Sequence, residues 1–322
     1  MQDEVESAYA RISPHLRRTP VEPSPWLAAT TGAVVHCKLE NYQVTGSFKA
    51  RGALNRILSA TDGEAEAGFV AASTGNHGAA VAYAARLRSA PVTVFVPSTA
   101  DAEKVGRLRD EGVAVRTAGV DSIEAEAAAR EFATSAGSTY VSPYNDPAVV
   151  AGQGTVGLEL AEQLPDLDTV FVALGGGGLV AGTASYLKAR RPDIEVIACS
   201  PRNSAVMAHS IEAGRILDLP SEPTLSDGTA GGVEAGSITF ELCQRLVDRY
   251  ELVDERAIAQ ALYGFTARHH SLIEGAAAVP IAALIALGRA YAGRNIAVVL
   301  CGANIATGTL LEVLQGEAAF SE

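Results

Sequence analysis

Short runs of apolar residues, many of them β-branched, alternate along the chain with longer alanine-rich segments. The runs are apolar on both faces, which is typical of strands that are buried on both sides of a sheet. The segments between them have helical length, for example residues 79–87 and 180–190. The pattern predicts parallel β-α-β units and an α/β fold. The predicted strands lie at residues 34–39, 68–72, 92–96, 114–116, 169–173, 195–198 and 295–300.

The organisation of these units predicts two domains. A chain of 322 residues has the usual length for about two domains. Residues 68–145 form a compact set of strand–helix pairs with glycine-rich elements on both sides, and two prolines, Pro143 and Pro147, favour turns at its end. We therefore expect open parallel sheets flanked by helices, with a small α/β domain (68–145) inserted into a larger domain made of residues 1–67 and 146–322.

Composition and charge narrow the class of partner. The net charge of −12 disfavours nucleic acid and anionic membranes, so a small anion would need a local site. The N-terminus has no apolar signal segment, and the longest apolar stretch, residues 275–287, is too short for a bilayer. A reducing cytoplasm is the expected location, because the four cysteines are far apart and lack zinc-ligand spacing: Cys37, Cys199, Cys243 and Cys301.

One lysine lies where a predicted strand meets a predicted helix. The strand at residues 34–39 leads into a Thr-Gly turn, and Lys49 follows Ser47, which can cap the helix. Burial there would lower the pKa of the amine, and a partly neutral amine is what Schiff-base chemistry with an aldehyde cofactor requires. A lysine in the first turn of a helix is also commonly a solvated residue. Taken alone, Lys49 leaves both interpretations open.

Three further segments follow predicted strands and could bind a ligand. Four consecutive glycines at residues 175–178 form an anion cradle at a helix N-terminus, which favours phosphate binding over a bare turn. Residues 73–78 supply hydroxyl, amide and backbone donors that suit a carboxylate, although simple helix capping explains them equally well. Cys301 ends the last strand, where ligands gather in α/β sheets, but a buried cysteine is more often a small apolar residue.

Together these segments resemble the fold type II pyridoxal phosphate enzymes, specifically the threonine/serine dehydratase and serine racemase branch. The resemblance covers nearly the whole chain and implies the two-domain architecture typical of the tryptophan synthase β type. Five motifs occur in the family's order: the Ser-Phe-Lys-x-Arg-Gly segment within residues 38–53, the Ser-x-Gly-Asn-His loop at 73–78, the Gly-Gln-Gly-Thr element within 151–155, the phosphate loop at 175–179, and a Cys-Gly-Ala-Asn segment at 301–304 where the family has Ser-Gly-Gly-Asn.

The resemblance implies a role for each of these residues around pyridoxal 5'-phosphate. Lys49 would form the Schiff base with the cofactor and then move the α-proton of the substrate. Phe48 would pack beside the cofactor ring, Asn76 would hydrogen-bond the ring hydroxyl, and Cys301 would face the ring nitrogen. The other implied roles are phosphate binding by Gly175, Gly176, Gly177, Gly178 and Leu179, and binding of the substrate carboxylate by Ser73, Thr74, Asn76 and His77.

The implied activity is the dehydration and deamination of a β-hydroxy amino acid of the threonine/serine type, which releases a 2-oxo acid and ammonia. Two departures bear on it. Cys301 stands where serine is usual, and a thiol is too weakly acidic to protonate the ring nitrogen fully, which suits elimination. Thr74 stands where racemases have their second catalytic serine, so racemisation is disfavoured although a hydroxyl remains.

Further departures leave the substrate open. Ser200 replaces the carboxylate of the family's divalent-cation site, so we predict no metal there. The glycine-rich segment 226–236 is expected near the cofactor and can reshape the substrate pocket around Glu234. A modified hydroxy amino acid, such as a hydroxyectoine-pathway intermediate, is therefore an alternative substrate. Serine racemisation, β-replacement and a catalytically silent ligand-binding homologue are the alternative functions.

The resemblance also carries expectations about assembly. Family members of this length are usually dimers, so we expect a homodimer. The chain ends at Glu322, soon after the last predicted strand, and we expect no C-terminal regulatory domain. The remaining expected partner is a small amino-acid substrate.

Overall fold

The computed structural model describes residues 1–316 and has two sheets, one mainly and one wholly parallel, with helices packed around them. The predicted α/β fold is confirmed. The strands are β1 (Val21–Pro23), β2 (Val34–Lys38), β3 (Phe69–Ala72), β4 (Val92–Val96), β5 (Ala114–Thr117), β6 (Thr139–Tyr140), β7 (Thr169–Ala173), β8 (Glu195–Pro201), β9 (Arg249–Val253) and β10 (Asn295–Val299).

The helices differ widely in burial, and several of those that line the centre of the molecule are apolar around most of their circumference. They are α1 (Gln2–Ile12), α2 (Pro25–Thr31), α3 (Lys49–Leu58), α4 (Asp62–Ala67), α5 (Asn76–Arg88), α6 (Ala102–Asp110), α7 (Ser122–Ala136), α8 (Pro147–Gln163), α9 (Gly178–Arg190), α10 (Val206–Glu212), α11 (Ile238–Leu246), α12 (Glu255–His269), α13 (Gly275–Leu287) and α14 (Thr307–Gln315).

The larger sheet has the strand order β1-β2-β10-β7-β8-β9. All of its neighbouring strands are parallel except β1, which pairs antiparallel with β2 at the edge. The central strands β7 and β10 are buried along almost their whole length, because helices cover both faces of the sheet. Their carboxyl ends therefore open side by side at one edge, where ligands bind in folds of this type.

The smaller sheet has the order β5-β4-β3-β6, and all of its strands are parallel. Its strands fall within residues 68–145, and those of the larger sheet fall outside that range. The division into two domains at these boundaries stays our proposal, and residues 317–322 of the larger one lie outside the described residues.

All seven predicted strands are present, with ends that shift by at most one residue, or by three for β8. The sequence patterns missed β1, β6 and β9. β1 contains a proline and lies at an edge, β6 has only two residues, and β9 carries charged residues because it is also an edge strand. Edge strands lack the continuous apolar runs that identified the others.

A buried ionic network joins α3 to the larger sheet. The Arg51 guanidinium donates to Glu40 (Nε–Oε2, 2.7 Å) and to Glu159 on α8 (Nη1–Oε1, 2.8 Å). Lys38 on β2 also contacts Glu159, and the side chains of all four residues are at most 2% exposed. Burial alone would raise the pKa of Glu40, but the positive charges of Arg51 and Lys38 hold it below its ordinary value. The network holds α3 in place at Arg51, which is two residues after Lys49.

We expect Arg51→Met to lower the free energy of unfolding by about 3–5 kcal/mol, because Glu40 stays buried without its ion-pair partner and Glu159 is left paired with Lys38. Urea denaturation followed by circular dichroism measures the loss. Arg18→Met is the matched control, since Arg18 pairs with Glu162 at the surface (2.9 Å, side chains 49% and 51% exposed) and should change the stability by less than about 1 kcal/mol. Equal effects of the two substitutions would contradict the prediction.

Candidate active site

A cavity lies between the carboxyl ends of the strands of both sheets. Its inner part is narrow, and an outer part of about 200 Å³ leads towards the surface. Lys49, Asn76, Gly228 and Glu274 line both parts. The inner part, which we call the ring cavity, is completed by Phe48, Tyr144, Ala173, Gly175, Gly176, Gly177, Gly178, Leu179, Thr229, Ala276 and Cys301. The fold thus brings the predicted cofactor residues to one place.

The turn before Lys49 is attached to the end of β10. Phe48 donates its backbone N–H to the Cys301 carbonyl (3.0 Å), and Ser47 forms an isolated bridge with Gly302. The predicted capping by Ser47 is wrong. The residue at the cap position is Phe48, and within residues 1–316 the buried Ser47 hydroxyl has no hydrogen-bond partner. The backbone pairing with Gly302 places Ser47 one residue too early to cap α3.

Lys49 is the first residue of α3 and points into the cavity. Its Nζ donates to the Pro143 carbonyl at 3.0 Å and lies 5.2 Å from the centre of the Phe48 ring. Burial lowers the pKa of Lys49 to about 8, while the nearby Cys301 and Glu274 favour the protonated form. Of the two interpretations left open by the sequence, the structure favours the buried amine.

The glycine loop between β7 and α9 fits the phosphate of a cofactor. Among residues 1–316, the backbone N–H groups of residues 175–178 make no hydrogen bond to the protein. A side chain on Gly176 would place its Cβ 2.3 Å from the Tyr144 ring, and one on Gly175 would lie 2.8 Å from the Thr229 carbonyl. Gly177 has a φ of +86°, which favours glycine. The loop therefore offers free donors at a helix N-terminus in a space that admits no side chain.

Residues 73–78 form the opposite wall. The Ser73 hydroxyl accepts from the Gly75 N–H (3.2 Å), and α5 begins at Asn76. Thr74 lines the outer cavity together with Ser73 and His77. The His77 ring donates from Nε2 to the Val141 carbonyl (2.8 Å), and burial lowers the pKa of His77 to about 3, so the ring is neutral. Substrate binding by these residues stays a prediction.

Cys301 lies at the inner end of the cavity, and a carboxylate that the sequence reasoning missed lies beside it. Cys301 is buried, and its Sγ is 3.9 Å from Oε1 of Glu274. Burial raises the pKa of the Cys301 thiol well above its ordinary value and raises the pKa of Glu274 to about 7. The one sequence signal for Glu274 was an isolated acidic residue directly before the most apolar helix, α13.

The glycine-rich segment 226–236 lies over the cavity, as the sequence led us to expect. Gly228 and Thr229 line the ring cavity. Two ion pairs connect the segment to helices around the smaller sheet: Asp227 with Lys104 on α6 (2.9 Å) and Glu234 with Arg130 on α7 (2.6 Å). Glu234 is held by these contacts and lines neither part of the cavity.

Ser200, which stands where the family's divalent-cation site has a carboxylate, has another role in the structure. The buried Ser200 hydroxyl donates to the Leu174 carbonyl (2.9 Å), directly before the glycine loop. Within the part of the chain that the structure describes, no three His, Cys, Asp or Glu side chains are placed to hold a metal ion.

Among residues 1–316, no helix combines the length and apolar composition needed to cross a bilayer.

Comparisons with known proteins agree with this geometry. The family model described as "Pyridoxal-phosphate dependent enzyme" matches residues 12–302. The L-threonine ammonia-lyase of Thermotoga maritima is 38% identical, over 94% of this chain and 75% of its own length. The β-hydroxyaspartate dehydratase of Paracoccus denitrificans is 33% identical, over 94% and 96%. The structure of maize serine racemase superposes with a TM-score of 0.91 at 34% identity, covering 98% of this chain and 97% of the racemase chain.

We expect Gly176→Ala to weaken the binding of pyridoxal phosphate by about tenfold or more, since the methyl group must displace Tyr144 or the loop amides. Titration of the apoprotein, followed by cofactor absorbance, measures the affinity. Gly63→Ala is the control, because Gly63 lies in α4 and a Cβ there meets nothing within 4 Å. Unchanged affinity in Gly176→Ala would show that the loop does not hold the phosphate.

Proposed function

This chain belongs to the family of pyridoxal-phosphate dependent enzymes, and on that premise we propose that it is an ammonia-lyase acting on a β-hydroxy amino acid. The cofactor of the family is pyridoxal 5'-phosphate. The proposed products are a 2-oxo acid and ammonia. The observation that carries the proposal is the position of the Lys49 amine, whose pKa is lowered to about 8 and which lines a narrow cavity together with the glycine loop.

The residues of the ring cavity suit the cofactor. When bound, pyridoxal phosphate withdraws electrons from the α-carbon of an amino acid and so makes its hydrogen removable. We assign the phosphate to the free amides of residues 175–178 and to Leu179. Phe48 would pack beside the ring, Asn76 would donate to the ring hydroxyl, and Cys301 would face the ring nitrogen.

Lys49 is the proposed general base. An amine whose pKa is about 8 is available in its neutral form near neutral pH far more often than an exposed lysine, and it can take a proton from the substrate α-carbon. The substrate carboxylate would bind the hydroxyls of Ser73 and Thr74 and the backbone N–H groups of Thr74 and Asn76. We assign the backbone N–H of His77 to the same carboxylate, because its ring is occupied by the Val141 carbonyl.

Two features favour elimination over racemisation. The Cys301 thiol has a raised pKa and therefore holds its proton tightly, so it leaves the ring nitrogen a weaker electron sink. The racemases of the family use serine at the position of Thr74, so racemisation is disfavoured here. Thr74 lines the outer cavity, and its hydroxyl can still act as acid or base towards the substrate. Serine racemisation is the second candidate, supported by the likeness to maize serine racemase.

The names of the relatives support the proposed class of substrate. Threonine and serine are proposed first, because one relative is an L-threonine ammonia-lyase. Another relative is named for β-hydroxyaspartate, which supports a wider choice of β-hydroxy amino acid than threonine and serine. A modified hydroxy amino acid, such as a hydroxyectoine-pathway intermediate, is the alternative that the glycine-rich segment 226–236 suggests.

We further propose a cytoplasmic homodimer. The four cysteines are free and buried, which suits a reducing compartment. The homodimer is inferred from the family resemblance, and light scattering of the purified protein should give twice the mass of the 33.3 kDa chain. A monomeric mass would contradict it.

A panel of β-hydroxy amino acids separates the candidate functions. We expect the holoprotein to release 2-oxo acid and ammonia from at least one member of the panel, and Lys49→Ala to lose that activity by about 10³-fold or more, since general base and Schiff-base amine are both removed. Keto acid is measured with a coupled dehydrogenase, and enantiomers are measured by chiral chromatography.

The other outcomes are distinct. Enantiomer exchange without keto acid would replace the lyase by a racemase. A protein that binds the cofactor but turns over no member of the panel would support the silent ligand-binding homologue. Lys188→Ala is the control for a general loss of a lysine, because Lys188 pairs with Asp248 away from the cavity.

A further inference from the structure

Glu274 is a buried carboxylate to which the proposed chemistry gives no task. It is 2% exposed and stands at the cap position of α13, yet its side chain makes no hydrogen bond to that helix. It turns instead into the cavity and lines both parts of it beside Lys49. A buried carboxylate that forgoes its own helix needs other donors, because an unsatisfied charge is costly to bury.

Those donors are the side chain of Asn76 and the backbone of Asn304. Asn76 Nδ2 lies 2.9 and 3.0 Å from the two Glu274 oxygens, and the Asn304 N–H donates at 3.0 Å. A carboxylate accepts only, so it selects the NH₂ end of the Asn76 amide. The Asn76 oxygen in turn accepts from Asn304 Nδ2. Both ends of the amide are thereby assigned.

The space around the carboxylate is shaped for it. A Cβ on Gly302 would lie 2.7 Å from the Glu274 carboxylate, so a side chain at position 302 would displace it. Asn304 also donates to the Thr45 carbonyl (2.9 Å), in the turn that precedes Lys49. Glu274 therefore contacts the wall formed by residues 73–78 and the end of the larger sheet at once.

We propose that Glu274 is a positioning residue that turns the N–H side of the Asn76 amide towards the cofactor ring, and that its charge favours a proton on Lys49. The inference rests on the proposed function, because it assumes that pyridoxal phosphate occupies the ring cavity. The inference gives Glu274 two effects: through Asn76 it acts on the ring hydroxyl, and through its charge it acts on the Lys49 amine.

The charges around Glu274 support the second part of the proposal. Burial raises the pKa of Glu274 to about 7, while the hydrogen bonds from Asn76 and Asn304 favour its ionised form. The titratable groups that face it are Lys49, Cys301 at the end of β10, and Asp227 and Lys104 across the mouth of the cavity. The carboxylate is charged above about pH 7, where it favours the protonated form of Lys49. Its removal therefore moves the titration at Lys49 to lower pH.

The test uses the reconstituted holoprotein and two readouts that need no substrate: the affinity for pyridoxal phosphate and the pH midpoint of its absorbance band. We expect Glu274→Gln to bind the cofactor about tenfold more weakly, as for one lost charge-assisted hydrogen bond, and to shift the midpoint to lower pH. Glu274→Asp keeps the charge, so its pH midpoint should lie close to that of the unmodified chain. Glu255→Gln is the matched control, since Glu255 is buried at the start of α12 and accepts from the Leu225 N–H, outside the cavity.

Asn304→Ala separates orientation from charge and serves also if Glu274→Gln does not fold. It frees the Asn76 oxygen but leaves the carboxylate, so we expect weaker cofactor binding with an unchanged pH midpoint. A Glu274→Gln protein with the affinity and the midpoint of the unmodified chain would overturn the inference, as would a shifted midpoint in Asn304→Ala. An unmodified chain that binds no cofactor would instead overturn the proposed function itself.

Discussion

The pairing of one buried guanidinium determines where the active site can form. Arg51 is fully buried, and a buried charge costs several kcal/mol unless its partners surround it. Its partners come from the segment after β2 (Glu40) and from α8 (Glu159), so all donors are satisfied only when α3 begins at one place relative to both. Lys49 lies two residues earlier on the same helix. The position of the amine thus follows from an interaction on the other side of α3.

The second constraint comes from the end of β10. Backbone hydrogen bonds join the turn before Lys49 to Cys301 and Gly302, and Asn304 ties the same turn to Asn76. Segments that are far apart in sequence are thereby held at hydrogen-bond distance around the ring cavity. The bond at Cys301 is made by its carbonyl and not by its side chain, so cysteine can stand where the family usually has serine without a change in this backbone geometry.

Much of this arrangement could be predicted, because some sequence features have few structural explanations. Continuous apolar runs identified the central strands, and four glycines after one of them required a close backbone approach, which the contacts of Gly175 and Gly176 bear out. The edge strand β9 carries charges and was missed. Ser47 was misassigned as a cap, since its pairing with Gly302 depends on a strand nearly at the other end of the chain. Glu274 was missed because a single acidic residue before an apolar helix is usually explained by its favourable interaction with the helix dipole.

The electrostatics of the cavity connect these pieces to the proposed elimination. Burial lowers the pKa of Lys49 and raises those of Cys301 and Glu274, so each group moves towards its neutral form. The ring end of the cavity therefore holds little net charge, and the anion-binding capacity lies at the other end, in backbone amides. A cofactor phosphate would be drawn to the glycine loop and not to the amine. Lys49 then stays free of a competing anion, and its proton affinity is set first by burial and then by the nearby Cys301 and Glu274.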